Sequence, residues 1–222
     1  MSAEIPTRRS PVYRKTNADV SGLREINGYR VALGNGETGT RLGNPEKLEI
    51  RDVSWLPRAG FKGRDTVSWL IAQGVKLPEQ VNALEVNDHG CLVIRLSRSE
   101  FLVLSDPGQP GELAVRLSEK WNADQFEQVG SYTYYLPRQD SHACFLIAGA
   151  HAPSVFSKLC AVDLRLHEFS NHAVAQTMMA RLSVIIVRND LSDVPAFLVL
   201  ADSASAEYLW DSIMDAADFY LR

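Results

Sequence analysis

From residue 48 onward, apolar residues fall in short dense runs whose spacing separates helices from strands. Over 64–73, Val67, Leu70 and Ile71 share one helical face, and Gly74 is placed to cap it. Cys91 to Leu96 and Phe101 to Leu104 are β-rich runs parted by Ser97-Arg98-Ser99-Glu100, the pattern of a hairpin. Beyond Asp106-Pro107-Gly108, Leu113, Leu117 and Trp121 recur at helical spacing. Ser131 to Leu136 and Ala143 to Ile147 read as strands. Pro153 then opens a helix with Val155, Phe156, Leu159 and Cys160 as its apolar stripe. Met178 to Val187 and Ala196 to Leu200 read as a second strand pair. A closing helix from about Ser203 buries Leu209, Trp210, Ile213, Met214 and Ala217.

The order repeats. Phe61-Lys62-Gly63-Arg64-Asp65 leads into a helix as Ile147-Ala148-Gly149-Ala150-His151 does. Phe101-Leu102-Val103-Leu104-Ser105-Asp106 returns as Phe197-Leu198-Val199-Leu200-Ala201-Asp202, at spacings of roughly 86 and 96 residues. Each half reads strand, helix, strand, strand, helix. The expected fold class is therefore α+β, with duplicated split βαβ (ferredoxin-like) units fused into one domain. The halves would cover about 46–125 and 126–222. Residues 1–45 differ: Pro6, Pro11 and the glycine-dense run from Gly34 to Gly43 suggest an extended arm with one short strand near Tyr29.

Composition bounds the function without naming it. The 222 residues are 45% hydrophobic and 23% charged, with net charge −4, so the chain can bury a core and does not resemble a disordered one. A sequence pI near 5.7 disfavours bulk phosphate binding, so no nucleic-acid partner is expected. No apolar run approaches a bilayer's thickness, and none is expected to enter a membrane. Three widely spaced cysteines, Cys91, Cys144 and Cys160, and no apolar leader behind Met1 give the expectation of a reducing, cytoplasmic setting.

Candidate chemistry is sparse. Gly34-Asn35-Gly36-Glu37-Thr38-Gly39 matches a dinucleotide-binding string, yet Thr40-Arg41-Leu42-Gly43-Asn44-Pro45 cannot start the helix that string requires. His142 and Cys144 would point the same way on a strand, one pair only, too few for zinc. Cys160 lies on an apolar helical stripe, where a thiol is a small hydrophobe. Arg8, Arg9, Arg14 and Lys15 surround Tyr13 and read as a solvated or partner-facing arm. Tyr132, Tyr134 and Tyr135 read as a strand whose face is either covered or part of an interface.

Taken in order, several stretches of residues 48–222 resemble the folate-binding superfamily that includes the glycine-cleavage T-protein, and within it the gamma subunit of heterotetrameric sarcosine oxidase. They are Arg51-Asp52-Val53-Ser54 with Phe61-Lys62-Gly63-Arg64-Asp65, Ser99-Glu100-Phe101-Leu102-Val103-Leu104, Leu159-Cys160-Ala161-Val162-Asp163-Leu164, Ala175 to Leu182, and Tyr208-Leu209-Trp210-Asp211. Arg8-Arg9-Ser10-Pro11 is similar to that subunit's opening. The resemblance implies a T-protein-like fold and larger partner subunits that carry flavin and NAD. It also implies a role in oxidising an N-methyl amine within one-carbon metabolism.

Two departures shape the functional expectation. The catalytic T-proteins carry a Gly-Gly-x-x-Asp-Asp turn, where this chain has Asn87-Asp88-His89-Gly90-Cys91. They also carry a Gly-Tyr-Thr-Gly-Glu-x-Gly turn whose glutamate grips the pterin. Here Arg188-Asn189-Asp190-Leu191-Ser192-Asp193-Val194-Pro195 stands instead. The Lys-Gly-Cys-Tyr-x-Gly-Gln-Glu string of the related iron–sulfur maintenance proteins is also absent from the sequence. Asp88, Arg188 and Asp193 are the residues left as weak cofactor-binding candidates. The expectation is a non-catalytic accessory subunit with no cofactor of its own, with tetrahydrofolate as the ligand it could carry and a homo-oligomer as its isolated form. The alternative is a divergent folate-dependent aminomethyltransferase or demethylase acting alone.

Overall fold

The computed structural model describes residues 8–16, 23–32, 46–87, 90–124 and 132–221. Its elements run β1 (Arg8–Arg9), β2 (Leu23–Ile26), β3 (Tyr29–Ala32), β4 (Glu49–Asp52), β5 (Arg58–Lys62), α1 (Thr66–Ala72), β6 (Ala83–Asn87), β7 (Cys91–Ser97), β8 (Glu100–Ser105) and α2 (Leu113–Asp124). They continue with β9 (Tyr134–Leu136), α3 (Arg138–Ser141), β10 (His142–Ala148), α4 (Ala152–Leu159), β11 (Val174–Met179), β12 (Leu182–Arg188), β13 (Ala196–Asp202) and α5 (Ala206–Leu221).

Two five-stranded antiparallel sheets lie face to face between two helical layers. Alternation along each strand explains why. In β7 and β8, Leu92, Ile94, Leu102 and Leu104 point into one apolar cluster with Cys144, Leu146, Leu198 and Leu200 of the other sheet. The intervening Val93, Phe101 and Val103 pack against Leu70 of α1 and Leu117 of α2. On the far side, Phe145, Ile147, Phe197 and Val199 meet Phe156 of α4 and Leu209 and Ile213 of α5. Strands covered on both faces read as unbroken apolar runs rather than alternating ones, which is how they stand in the sequence.

The sheets share one strand order: β6-β7-β8-β5-β9 and β11-β12-β13-β10-β4. Each fifth strand comes from elsewhere in the chain. β4, which precedes β5, pairs with β10, while β9, which precedes β10, pairs with β5. The matched sequence stretches occupy matched positions: Phe61 stands opposite Phe101, and Ile147 opposite Phe197. Gly63 and Gly149 both take positive φ, at 138° and 106°. Gly63 N–H donates to Ser99 O at 3.0 Å, and Gly149 N–H to Pro195 O at 2.8 Å.

Each half departs from a plain split βαβ unit by one added strand: β5 and β7, and β10 and β12, run parallel with one strand between them, but β7 and β12 do not follow the helix directly. That pattern places the strand after the helix parallel to the strand before it, with one strand between. Here β6 and β11 lie at the far edges of their sheets, because a three-stranded meander follows each helix. The extra strands are Ala83–Asn87 and Val174–Met179. The stretch expected as one strand over 178–187 folds back at Ala180 and Arg181, both at positive φ, without the glycine or asparagine that usually marks such a turn.

The segment expected as an extended arm also carries more structure. β2 and β3 form a hairpin around Asn27 (φ 50°) and Gly28 (φ 75°), and β1 lies parallel to β3. Tyr29 and Val31 join the inter-sheet cluster, so this small sheet closes one side of the core. The Gly34–Gly43 run, and with it the dinucleotide-like string, lies outside the described residues.

A Cβ built on Gly149 would stand 2.1 Å from Lys47 O, and one on Gly63 would stand 1.8 Å from Tyr132 O. Both carbonyls lead into the exchanged strands. Gly149→Ala is expected to lose at least about 2 kcal/mol, since backbone strain and a clash add. Gly28→Ala, with open space around it, is expected to cost about 1–2 kcal/mol from conformation alone. Urea denaturation of the two variants checks the difference.

Candidate functional site

The polar groups inside this fold gather where the chain crosses between the sheets. The connections β4 to β5 and β9 to β10 pass each other there, and Arg58, the first residue of β5, is only 3% exposed between them. All five guanidinium N–H groups are used. Nε donates to Arg138 O at 3.0 Å, and Nη1 to Ser54 O at 2.9 Å and Leu56 O at 3.0 Å. Nη2 donates to Gln139 O at 3.2 Å and to His142 O. The Arg58 backbone N–H donates to Gln139 Oε1 at 3.0 Å, and Gln139 Nε2 donates to Ser54 O at 3.0 Å. Ser54 Oγ accepts from Cys144 N–H at 3.0 Å. Burial lowers the Arg58 pKa from its ordinary value, and the charges around Asp52 and Asp140 oppose that shift. Five carbonyl acceptors hold the cation, which leaves it no donor for a ligand.

A second group flanks this hub. Glu100 accepts from Arg138 Nη2 at 2.6 Å and pairs with Lys62 Nζ at 2.8 Å. The Arg138 stem crosses directly over Gly60, where a Cβ would meet Arg138 Cγ at 2.8 Å. Arg138 Nη1 lies 3.0 Å from His142 Nε2, and Ser141 Oγ lies 2.8 Å from His142 Nδ1. A guanidinium can only donate, so the network assigns the ring proton to Nδ1 and makes Nε2 the acceptor. Burial first, then the charges of Arg138 and Arg58, depress the His142 pKa to about 4. A ring kept neutral by two cations is a poor general acid at neutral pH.

The sequence candidates fare differently. Asp88 lies outside the described residues. Arg188 is buried, and Nε and Nη2 grip Asp190 at 3.0 and 2.7 Å while Nη1 reaches Leu166 O and Phe169 O. Its partner is therefore Asp190 and not Asp193. Asp193 is exposed at the tip of a tight turn, with Ser192 and Asp193 at φ 49° and 68° and Leu191 paired to Val194. Its neighbourhood is nonetheless a junction between the sheets. Asn189 Nδ2 donates to Asp106 Oδ2 at 3.1 Å, and Asp106 N–H donates to Gly90 O at 2.9 Å. The turns around residues 90 and 190 thus converge on the loop after β8.

Cys91 and Cys144 are buried thiols. Burial raises the pKa of Cys91 and pushes that of Cys144 up to about 12. Among the described residues, no group of three or more His, Cys, Asp or Glu side chains could hold a metal ion. No described helix is long and apolar enough to cross a membrane. A broad open groove of about 1460 Å³ runs along the start of α2, bordered by Trp55, Lys76, Gln109 and Arg116, and neither Arg188 nor Asp193 lines it.

Folate recognition in the superfamily that the sequence resembles needs a carboxylate open to an interior space, as that resemblance implies. Of the sequence candidates, neither Arg188 nor Asp193 supplies one. The face between the sheets is filled by Leu92, Leu102, Leu104 and Leu146, all 0–1% exposed. Asp190 is spent on Arg188, and Asp193 faces outward.

The residues that sequence reading missed are Ser54, Arg58, Gln139 and the pair Asp106 and Asn189. Ser54, Asp106 and Asn189 stand in stretches read from the sequence with no role given to them, and Arg58 and Gln139 stand in no recognisable motif. A lone arginine at a strand start is ordinarily a surface residue, and only the crossing of two connections above it makes it central.

No protein-family model and no curated protein sequence matches the chain. Among solved structures it is similar to a chain of the heterotetrameric sarcosine oxidase from Corynebacterium sp. U-96, in complex with pyrrole 2-carboxylate. That match has 19% identity and a TM-score of 0.71, covering 97% of this chain and 97% of that one. It is also similar to glycine cleavage system aminomethyltransferase T from Bartonella henselae, at 14% identity and a TM-score of 0.62. There it covers 94% of this chain but spans only 57% of the transferase. The chain has the α+β fold of these proteins, and the resemblance drawn from its sequence stretches holds at the level of fold.

Replacing Arg58 by Leu removes a buried cation and leaves five carbonyls without donors; it is expected to cost on the order of 3–5 kcal/mol, read from the urea midpoint. The depressed His142 pKa carries a sign. The unfolded ring titrates near 6.5 and the folded one near about 4, so the unfolded state takes the proton first. Stability is full above pH 6.5 and falls as pH drops toward 4. The loss is on the order of 1–2 kcal/mol once solvent screening is allowed for. Burial raises Asp52 and works in the opposite direction. The measurement is therefore the pH slope of wild type minus that of His142→Gln, which is expected to be shallower.

Proposed function

We propose that this chain is a non-catalytic, accessory subunit of a sarcosine oxidase-like complex that oxidises an N-methyl amine in one-carbon metabolism. Its larger partners would carry the flavin, NAD and folate chemistry. The observation that carries the reading is the closed interior. Where a folate-dependent relative would need space and an open carboxylate, this chain has packed leucines, a saturated Arg58 and an Arg188–Asp190 pair. Coverage supports the same reading, since the chain matches 97% of one chain of a heterotetrameric oxidase but 57% of the glycine cleavage system aminomethyltransferase.

In this reading residues 1–45 are an arm whose described strands pack onto the body, and 46–222 are one domain of two similar halves, about 46–125 and 126–222, fused by the exchanged strands. Rigidity suits such a role. A four-layer body with two sheets buried on both faces offers fixed surfaces to its partners, and a subunit interface of the obligate kind buries upwards of about 2,000 Å².

Co-expression with the larger subunits of a sarcosine oxidase-like enzyme is expected to give one complex on sizing. A chain that elutes alone, or only with copies of itself, overturns the proposal. Calorimetric titration of the isolated chain with tetrahydrofolate is expected to show no binding in the micromolar range. Micromolar binding weakened about tenfold or more by Asp193→Ala would replace this reading with a folate-dependent aminomethyltransferase or demethylase.

A further inference from the structure

The short segment around Tyr13 holds two arginines together with no acid between them among the described residues. Its backbone is fixed: Tyr13 N–H donates to Ser10 O at 3.1 Å, Lys15 N–H to Val12 O at 2.8 Å, and Val12 N–H to Ser10 Oγ at 3.1 Å. Val12 is fully buried in the cluster under α5, and Lys15 Nζ pairs with Asp211 of that helix at 2.7 Å. On this anchored turn, Arg9 Nη1 donates to Tyr13 Oη at 3.0 Å with its guanidinium 4.8 Å from the ring centroid. Arg14 Nε reaches the same oxygen from 3.5 Å.

The charges around this group are unequal. Of the four cations between residues 8 and 15, Arg8 pairs with Asp140 at 3.2 Å and Lys15 with Asp211. Among the described residues, no carboxylate forms an ion pair with Arg9 or Arg14; Glu207 acts on Arg14 through space only. The two guanidiniums pull the Tyr13 hydroxyl below its ordinary pKa, Arg14 first and then Arg9. With Tyr13 Oη accepting from both sides, its own proton remains free to donate, so three donor groups are offered outward from one place.

We propose that Arg9, Tyr13 and Arg14 form a docking fork for an acidic segment of a partner protein. The inference rests on the subunit reading above and adds the surface and its chemistry. Bringing two like charges together has a cost that an incoming carboxylate removes. Guanidinium offers two parallel N–H bonds to a carboxylate, and arginine and tyrosine are the residue types that concentrate binding energy at interfaces. A chain of net charge −4 repels acidic partners elsewhere, so a local basic fork sets where and in what register an acidic segment lands. The same net charge disfavours a nucleic acid, whose charge extends far beyond three side chains.

The test uses the isolated full chain and a fluorescent oligoglutamate peptide, followed by anisotropy. Binding is expected at low salt and is expected to weaken toward about 0.15 M salt. The double variant R9E/R14E is expected to weaken binding about tenfold or more, Arg9→Lys with Arg14→Lys less, and Tyr13→Phe by a small factor. All three side chains are at the surface, and unchanged thermal melting confirms that the fold survives. Equal peptide affinity in wild type and R9E/R14E overturns the proposal, as does no binding at low salt. Inorganic phosphate displacing the peptide at millimolar levels or below would make this a small-oxyanion site instead. Single-stranded DNA binding as tightly as the peptide would make it a nucleic-acid contact. Loss of the fork's binding with complex formation intact sinks this inference alone; a chain that binds the peptide but forms no complex sinks the subunit reading.

Discussion

Arg58 stands where two connections must pass each other, and neither could lie there without it. Each connection carries main-chain carbonyls into the core, away from water and beyond the reach of a sheet ladder. An unpaired buried carbonyl costs on the order of 1–3 kcal/mol. One guanidinium answers five of them, from Ser54, Leu56, Arg138, Gln139 and His142. Lysine could not replace it, since three donors on a point charge cannot reach both connections. The arrangement of the sheets follows from that crossing, because β4 and β9 reach their partners only by passing over it.

The same economy of polar groups bears on function. A site that does chemistry keeps donors, acceptors or charges unmatched until substrate arrives. In this interior most are matched already, Arg188 with Asp190, Asn189 with Asp106, Glu100 with Arg138 and Lys62, while Arg138 Nε and the hydroxyls of Thr66 and Thr133 have no partner. Among the described residues, Arg9 and Arg14 of the Tyr13 turn are surface cations without an ion-pair partner.

Much of the fold was legible because the strands are apolar throughout and the helices keep their period. Phe61, Phe101, Ile147 and Phe197 were aligned by sequence alone and are paired as that alignment requires. What was not legible had weak local signals. β6 carries Glu85 and the exposed Val86 at a sheet edge and lacks a continuous apolar run. The turn at Ala180 and Arg181 uses residues that sequence rules do not associate with positive φ. The hairpin at Asn27 and Gly28 did carry its proper signal, hidden by the prolines and glycines around it. The crossing hub could not be seen, because Arg58 meets Arg138, Gln139 and His142 only across 80 or more positions.

The exchanged strands have one more consequence. A chain containing only the first half would make a sheet that lacks its fifth strand while holding, in Glu49–Asp52, the strand another copy needs. Two such copies could satisfy each other by trading ends. In topology, the full chain is a domain-swapped dimer whose protomers have been joined end to end, and its connecting segment turns a bimolecular assembly into a single folding unit. A proteolytic nick between the halves would therefore yield two fragments that remain interlocked.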